Sequence, residues 1–435
     1  MATLDVSRFQ FIADALNGAG GFANGEALVR YPREDDAKFA RRQEIAWYHN
    51  ALRPACQRFV GYLTQRAPQR TVSTPALTAF MDACNWQNDS LDVFWSGFMI
   101  DAKARGSMLL IVDMPASGMD TERTWPALVP LAPERLKRYR LNPEGALAEV
   151  GFVDVAEVDG QEKPVERIYD ETGWRVLDGQ TVISQGTHGL GVCPVLLFTE
   201  AGDFPHVGSF ATIADLSKRL YNLRSELDEI LRAQTFSLLA YPVTENQSAT
   251  LDPKALAQTI STHNMLLHYG ASPQFIAPPE GPATIYLNVI ERVEALIREA
   301  ALYVDPASNS QESGIALQMR FQALNSALVH FARRMEDFER RLWELVSRWL
   351  GLYTVAEIQW DNDYSLADLK LEIEVAQNMA ALGAPPAYQA AKMQQLISLD
   401  LANLDPDELA AILVQVDEVT QETAGMPEAQ PEGVL

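Results

Sequence analysis

The clearest candidates for chemistry are Asp361 and Asp363, which enclose Asn362 directly after a predicted strand. Carboxylate and amide oxygens at such a spacing are ligands that Ca²⁺ and Mg²⁺ prefer. The same residue types also end strands and cap the first turn of a helix, and a helix is predicted to follow here. We favour this second interpretation, which gives the acidic run a structural role rather than a metal site.

Histidine and glycine residues offer two weaker candidates. His263 and His268 are the closest pair among the six histidines, at a predicted junction of loop and strand, and we do not expect them to bind a metal. Segment 186–191, GTHGLG, contains three glycines without the GxGxxG spacing, and no helix follows it. We therefore predict a turn there rather than a dinucleotide-binding loop.

Sequence signatures of common enzyme classes are absent: the chain contains no P-loop motif, no HExxH and no GxSxG. Its three cysteines show no CxxC spacing, fit a reducing compartment and are predicted to be small core residues: Cys56, Cys84 and Cys193. We therefore expect a protein that is not an enzyme and that binds no cofactor or metal.

The chain is strongly acidic, with 35 Lys and Arg against 58 Asp and Glu and a net charge of −23. This balance argues against broad phosphate contacts with nucleic acid and against binding to an anionic membrane. After Trp360, 14 acidic residues stand against 2 basic ones, which predicts a solvated acidic tail. The N-terminus does not have the pattern of a signal peptide, and the longest charge-free stretch contains His, Asn, Gln and Pro. We expect a soluble protein made in the cytoplasm.

The first half of the chain predicts helices followed by a sheet. Residues 36–66 have the pattern of two helices broken at Pro54, and 108–113 are predicted to form a buried strand. Between 125 and 200 the apolar period changes to two, with Asp-Gly pairs that mark hairpins. This region is predicted to be an antiparallel, mostly β module.

The second half of the chain predicts long helices with heptad-like apolar spacing. The first begins after Gly208 and ends at Tyr241, and the second runs from about Thr284 to Asp305. The third follows the polar loop that precedes Gly314, and its length is roughly 50 Å at 1.5 Å per residue. A strand follows near 356–363, and other short elements are predicted as a helix at 253–263, strand-like pieces around 264–276, and helices at 364–382, 386–398 and 406–421.

Four segments, in this order, resemble the portal proteins of tailed bacteriophages. WSGFMIDAKARGSMLLIVD is similar to the start of the portal wing, and SFATIADLSKRLYNLRSELDEILRAQTFSLL to the outgoing stem helix. SNSQESGIALQMRFQALNSALVHFARRMEDFERRLWELVSRWL is similar to the tunnel loop and long helix. AEIQWDNDYSLADLKLEIEVAQNMAALGAPPAYQAAKMQQL is similar to the strand and helices that follow. The resemblance covers about residues 36–420, and it rests on order and spacing rather than on one motif.

The resemblance implies an α+β, portal-type fold with an antiparallel β-rich wing, paired stem helices, a small clip, a long connecting helix and a helical crown. The implied boundaries are a wing at 1–207 with 351–363 returning to it, stem helices at 208–241 and 284–304, a clip at 242–283, a tunnel loop at 305–312, a connecting helix at 313–350, and a crown with an acidic tail at 364–435.

The implied function is that of a ring of identical subunits, usually twelve, at one capsid vertex. Double-stranded DNA is packaged and ejected through the axis of such a ring, which docks the terminase large subunit and then the tail adaptor or head-completion protein. The major capsid protein and a scaffolding protein are further implied partners, no membrane partner is implied, and the implied location is the virion, after synthesis in the host cytoplasm.

On this mapping a polar loop projects into the channel from each subunit. The loop residues are Asp305, Pro306, Ser308, Asn309, Ser310, Gln311 and Glu312, and the predicted hinge between loop and helix is Ser313 and Gly314. Glycine tolerates the backbone angles of a sharp bend. An acidic or polar wall does not hold phosphates, whereas a basic wall would bind them.

Some features depart from this pattern, and two other classes of protein remain alternatives. The chain is short for a portal protein, and its clip is small. Lys218, Arg219 and Arg224 form a basic cluster on the first stem helix, which we predict to face outward from the channel. The alternatives are a helical adaptor or scaffold protein of the virion that threads no DNA, and an enzyme with an unrecognised acid-based site around Asp361 and Asp363.

Overall fold

A computed structural model provides the structure of the chain, which forms two compact units, Met1–Tyr364 and Ser365–Leu435. The structure describes residues 5–65, 67–115, 123–158, 160–235, 238–242, 265–268, 274–276, 281–303, 314–353, 356–364, 369–400, 412 and 414. Helices and antiparallel sheets both occur in the first unit, which confirms the α+β class.

The N-terminal part of the first unit is helical. Its helices are α1 (Ser7–Asn17), α2 (Gly21–Asn24), α3 (Asp36–Ile45), α4 (Leu52–Leu63), α5 (Pro75–Asp82) and α6 (Leu91–Arg105). The side chains of Asp35 and Ser90 accept hydrogen bonds from first-turn N–H groups of α3 and α6, as N-cap residues do. Helix α6 ends at Gly106, whose φ of 80° is the left-handed conformation that glycine tolerates.

Two antiparallel sheets follow the helices. The smaller has the order β3-β2-β9, and the larger is a meander of the order β4-β5-β6-β7-β8. Their strands are β2 (Ser107–Asp113), β3 (Ala127–Leu131), β4 (Leu136–Leu141), β5 (Leu147–Val158), β6 (Gln161–Asp170), β7 (Gly173–Asp178), β8 (Thr181–Thr187) and β9 (Val195–Thr199). The predicted antiparallel β module is therefore confirmed.

Strand β2 is buried on both faces, which explains its uninterrupted apolar run. Leu109 and Ile111 belong to the buried cluster shared with the larger sheet, whereas Met108, Leu110 and Val112 belong to the cluster shared with the helices. The first unit thus has three layers at this point: helices, the three-stranded sheet and the five-stranded sheet.

A helix pair with a small sheet between its members forms the next part of the chain. Helix α7 (Ala211–Thr235) leads to β10 (Leu238–Pro242), β11 (Met265–His268) and β12 (Gln274–Ile276), and α8 (Gly281–Ala300) follows. Strand β10 lies at the centre of this sheet, parallel to β11 and antiparallel to β12.

The longest described helix, α9 (Gly314–Leu350), has 37 residues. Among its described side chains, Phe321 packs against the main core, Leu324 is the first buried one, and Phe338, Leu342 and Trp343 are completely buried. Strand β13 (Glu357–Gln359) follows and pairs antiparallel with β1 (Gln69–Thr71), so this end of the chain returns to the N-terminal region.

The second unit contains two described helices, α10 (Leu369–Ala381) and α11 (Pro386–Asp400). Gly383 has a φ of 80°, and the N–H groups of Gly383 and Ala384 bond the last carbonyls of α10. This arrangement is a Schellman-type helix end, and it lies where the sequence predicts a Gly-Pro turn.

Several predicted element boundaries need correction. The predicted first stem helix extends to Tyr241, but α7 ends at Thr235 and residues 238–242 form strand β10, because an apolar run alone does not distinguish the two structures. Pro54 lies in the first turn of α4, where proline is tolerated, so the helix break precedes it. Helix α1 was not predicted. The predicted helix at 253–263 lies outside the described residues, as does the predicted helix at 406–421 except for 412 and 414.

Candidate functional site

The predicted tunnel loop and the first predicted hinge residue, Ser313, lie outside the described residues. The loop residues concerned are Asp305, Pro306, Ser308, Asn309, Ser310, Gln311 and Glu312. Gly314, the second predicted hinge residue, is the first residue of α9. The structure describes the residues on either side of this segment, the end of α8 before it and α9 after it. The contacts of these two flanks define where the segment begins and ends.

The entry to the segment is fixed at the end of α8. Leu302 has a φ of 51°, and its N–H and that of Tyr303 bond the carbonyls of Glu299 and Arg298, at 3.0 Å in both cases. These bonds form a Schellman-type end that stops the helix. The guanidinium of Arg58 on α4 lies 4.3 Å from the Tyr303 ring centroid, so a cation–π contact holds the chain against the body.

The exit from the segment is the first part of α9. Asn325 donates to Asp363 Oδ1 at 3.1 Å and accepts from the Tyr364 N–H at 2.7 Å. Between Gly314 and this anchored level, α9 extends by about 17 Å at 1.5 Å per residue.

The structure also shows what the acidic run Asp361–Asp363 does. The Asp363 N–H donates to Asp361 Oδ1 at 3.1 Å, and the Asp363 carboxylate accepts from Asn325. These contacts join the end of the strand to α9. The predicted capping of the following helix lies outside the described residues. Within the part of the chain that the structure describes, no group of three or more His, Cys, Asp or Glu side chains has the arrangement of a metal site.

Buried polar contacts hold the C-terminal part of α9. Glu339 has no exposed side-chain surface and pairs with Arg70 at 2.5 Å. It also accepts from the indole nitrogens of Trp343 and Trp360, at 3.2 Å and 2.9 Å. Farther along, the Trp349 indole nitrogen donates to the Val112 carbonyl at 2.9 Å. These contacts fix α9 to β1, to the segment after β13 and to β2.

Helices α7 and α8 run antiparallel to each other. Arg224 pairs with Glu294 at 2.8 Å, and Glu226, farther along α7, bonds Tyr286, which lies earlier on α8. Residue numbers therefore rise along one helix as they fall along the other. The apolar side chains that are buried between and behind these helices include Leu220, Tyr221, Leu227, Ile290, Val293 and Ile297.

The N-terminal segment packs along α7 and contacts the predicted basic cluster. The Arg224 guanidinium lies 4.8 Å from the Trp47 ring, and the Lys218 ammonium lies 5.7 Å from the Phe11 ring. Arg219 is exposed. Two of the three cations are thus engaged within the chain, and the outward orientation of the cluster stays a prediction.

A buried ion pair joins the sheets to the start of α7. Lys103 Nζ lies 2.5 Å from Glu200 Oε1, and Glu200 also accepts from the N–H and the hydroxyl of Ser209, at 3.1 Å each. The Lys103 ammonium lies 4.2 Å and 4.4 Å from the rings of Phe59 and Phe210. This arrangement fixes the direction in which α7 leaves the body.

The remaining candidates for chemistry are the cysteines, the histidine pair and segment 186–191. The three cysteines, Cys56, Cys84 and Cys193, are buried. Burial raises the pKa of each thiol to about 12, so the groups stay in the unreactive thiol form. His263 lies outside the described residues, and for His268 the structure describes only the backbone, in β11. Segment 186–191 covers the end of β8 and the turn after it, as predicted.

Comparison with known proteins gives no sequence match: no protein-family model and no curated protein matches the chain. Among solved structures, it is similar to a chain in the virion of a native gene transfer agent (GTA) particle, with 13% identity and a TM-score of 0.41 over 86% of this chain and 95% of that chain. A chain in the neck of a native GTA particle, computed with C12 symmetry, matches with 13% identity and a TM-score of 0.43 over 84% and 89% of the two chains.

A chain in the neck of an empty GTA particle, computed with C6 symmetry, matches with 12% identity and a TM-score of 0.41 over 83% of this chain and 98% of that chain. None of the described helices combines the length and the apolar character needed to cross a membrane.

Proposed function

We propose that this chain is the subunit of a portal-type ring, which forms a channel for double-stranded DNA at one vertex of a tailed bacteriophage or phage-like particle. The observation that carries this proposal is the order of elements from α7 to α9. Two antiparallel helices enclose a small sheet, and a segment of about ten residues then leads into a 37-residue helix.

The antiparallel helices supply the stem of the proposed subunit. Arg224 pairs with Glu294, and apolar side chains of both helices are buried in the main core, so we expect the pair to act as one unit that supports the small sheet. We assign the sheet of β10, β11 and β12 to the clip, where the terminase large subunit and then the tail adaptor dock.

The segment between α8 and α9 supplies the proposed tunnel loop. Its entry is stopped at Tyr303 and its exit is held at Asn325, so the loop starts and returns at defined points of the body. The loop residues between Asp305 and Glu312 are polar or acidic apart from Pro306 and Ala307. The acidic groups of such a surface repel phosphates over a distance of about 8 Å at physiological ionic strength, and its neutral polar groups do not attract them.

The proposed role is structural and not enzymatic, and its location is the virion. The net charge of −23 per chain is consistent with a channel whose cargo must not bind to it. A head-to-tail interface between copies forms a closed ring when a whole number of identical rotations between neighbours makes one full turn. We expect a ring of twelve copies.

Negative-stain electron microscopy and mass photometry of the purified full-length protein test this proposal. We expect rings with a central hole and a mass near twelve times 48.2 kDa. A closed, stable small oligomer without a hole contradicts the proposal and favours the adaptor alternative. If the protein stays monomeric, the same measurements are repeated after co-expression with the capsid and scaffolding proteins of its particle, and the absence of rings there also contradicts it.

A further inference from the structure

The two helices of the second unit form a hairpin whose apolar side chains are poorly covered. Every described side chain of α10 and α11 is at least partly exposed to solvent. Ile373 and Tyr388 are each 40% exposed, and Met393 is 52% exposed. Helices in proteins gain most of their stability by packing an apolar face, so this hairpin needs a further element that packs against it.

A groove between the two helices shows where such an element fits. It encloses about 530 Å³, and its walls are two apolar stripes: Ile373, Ala376 and Ala380 on α10, and Met393, Leu396 and Ile397 on α11. On α11 the lining extends from Tyr388 to Ile397, which is about 14 Å at 1.5 Å per residue. A groove with these walls fits the apolar face of a third helix.

The segment that follows α11 has the sequence of an amphipathic helix. Leu409, Ile412, Leu413 and Val416 are spaced i, i+3, i+4 and i+7, which places them on one helical face. Together they extend over about 11 Å of helix, which is close to the length of the groove.

The same segment has the sequence signals of a helix start. Asp405 is an N-cap residue type, Pro406 stands where the first helical residue would be, and Glu408 follows Asp405 by three positions. This is the capping pattern that precedes an apolar run. The expected helix therefore begins at Pro406, close to the end of α11.

The two described residues of this segment have different exposures. Ile412 and Val414 are both helical. Ile412, on the apolar face, is half-buried, whereas Val414 is 57% exposed. Residues two positions apart point to nearly opposite sides of a helix, so the apolar face is the side that requires a partner.

The short connection favours the groove of the same chain. Helix α11 ends at Asp400, so the N-cap residue Asp405 lies at most about 18 Å farther along the chain. Helices joined by such a short connection pack as antiparallel neighbours. In that arrangement Leu409 lies level with Leu396, and Ile412 lies level with Met393.

The charges on the two sides are complementary. Lys392 is the one charged side chain among the described residues that line the groove. Residues 401–435 contain eight Asp and Glu and no Lys or Arg. A positive groove edge and an acidic segment therefore attract each other.

We propose that residues 406–419 form a helix that occupies the groove between α10 and α11 of its own chain and completes a three-helix bundle. Because this helix runs antiparallel to α11, it ends near the turn at Gly383, and the acidic residues after it leave the bundle there. The proposal does not depend on ring formation, so it can be tested separately from the proposed function.

Disulfide formation in the full-length protein tests the contact. The variant Met393→Cys/Ile412→Cys places one thiol in the groove and one on the apolar face of the segment. The control Met393→Cys/Val414→Cys keeps the first thiol and moves the second to the opposite side. The three native cysteines are buried and are expected not to compete. We expect an intramolecular disulfide that forms at least about tenfold faster in the first variant, since the two Cα atoms must come within about 7 Å.

Non-reducing electrophoresis and peptide mass spectrometry identify the products. Equal rates for the two pairs would overturn the proposal. A disulfide that joins two chains instead of forming within one would assign the groove to a second copy, and this result also contradicts it.

A second pair of variants tests whether the segment covers the groove. Ile412→Asp puts a charge on the apolar face and is expected to expose the groove, so the fluorescence of the dye ANS should rise about twofold or more. Val414→Asp makes the same chemical change on the exposed side and should leave the fluorescence at the wild-type level. Equal fluorescence of the two variants contradicts the proposed position of the helix.

Discussion

Arg70 and Glu339, 269 positions apart in the sequence, form an ion pair in which the carboxylate has no exposed surface. Because Glu339 also accepts from two indole nitrogens, the pair connects α9 to the β1–β13 sheet through a fully bonded carboxylate. Such a group is stable only while its partners remain in place.

Replacing Arg70 with Met is therefore expected to destabilise the first unit. The change leaves the Glu339 carboxylate buried without its cation, which costs about 3–5 kcal/mol. Urea unfolding followed by circular dichroism measures the loss. Arg340→Met is the matched control, since Arg340 pairs with Glu336 and Asp337 at the surface and its loss is expected to cost less than about 1 kcal/mol. Equal effects of the two variants would contradict the assignment.

Gly106 is expected to tolerate no side chain. Its φ is 80°, and a Cβ atom there would lie 2.0 Å from the Gly208 nitrogen, so Gly106→Ala combines backbone strain with a clash against backbone. We expect a loss of about 3 kcal/mol or more in the free energy of unfolding. Gly145 has nearly the same φ, 83°, with open space around it. Gly145→Ala should cost only about 1–2 kcal/mol, and a similar loss at both positions would show that the close contact at Gly106 is unimportant.

Burial raises the pKa of the Asp113 carboxyl above its usual value, and the hydrogen bond that it accepts from the Tyr169 hydroxyl opposes this only in part. The raised pKa predicts a pH-dependent difference in stability. The unfolded chain releases the Asp113 proton near pH 3.8, before the folded chain does, so the wild type loses stability as pH rises from that value through the higher folded pKa. Asp113→Asn lacks this loss. The free energy of unfolding, measured from pH 3 to 7, should favour the variant by an amount that grows with pH and then becomes constant. A difference that shrinks as pH rises would contradict the direction of the shift.

The proposed tunnel loop gives a prediction that separates assembly from function. Replacing Asp305 and Glu312 with Lys introduces cations that neutralise phosphates and favour DNA binding. We expect rings of unchanged mass in mass photometry and reduced DNA packaging in particles. The matched variant Asp305→Asn/Glu312→Gln adds no cation and should package normally. Normal packaging by the lysine variant would contradict the proposed position of the loop.

The parts of the fold that depend on periodicity were predictable from the sequence. The 3–4 spacing of apolar residues in α9 and the alternation in β5 each follow from a local pattern, and the structure has these elements. Strand β10 was not predictable in this way, because its apolar residues continue the pattern of α7 and only pairing with β11 and β12 makes them a strand.

The contact between the three-stranded and the five-stranded sheet at Asp113 and Tyr169 could not be predicted from the sequence for a related reason. Tyr169 and Asp113 belong to different sheets and are 56 positions apart, so their hydrogen bond depends on how the sheets pack. A single acid at the end of an apolar strand is a common feature, and nothing local distinguishes Asp113 from Asp170 at the end of β6. In the acidic run, only the bond from the Asp363 N–H to Asp361 is local, whereas the bonds to Asn325 of α9 join residues that are 38 and 39 positions apart.

The polar contacts along α9 have a mechanical consequence. They hold the helix at widely spaced levels, through Asn325 near its start, Glu339 farther along and Trp349 close to its end. A force applied at Gly314 would reach the first of these contacts after about 17 Å of helix. The two hydrogen bonds of Asn325 would transmit part of that force to Asp363 and Tyr364. The proposed loop would then be coupled mechanically to the segment after β13, which lies well outside the loop.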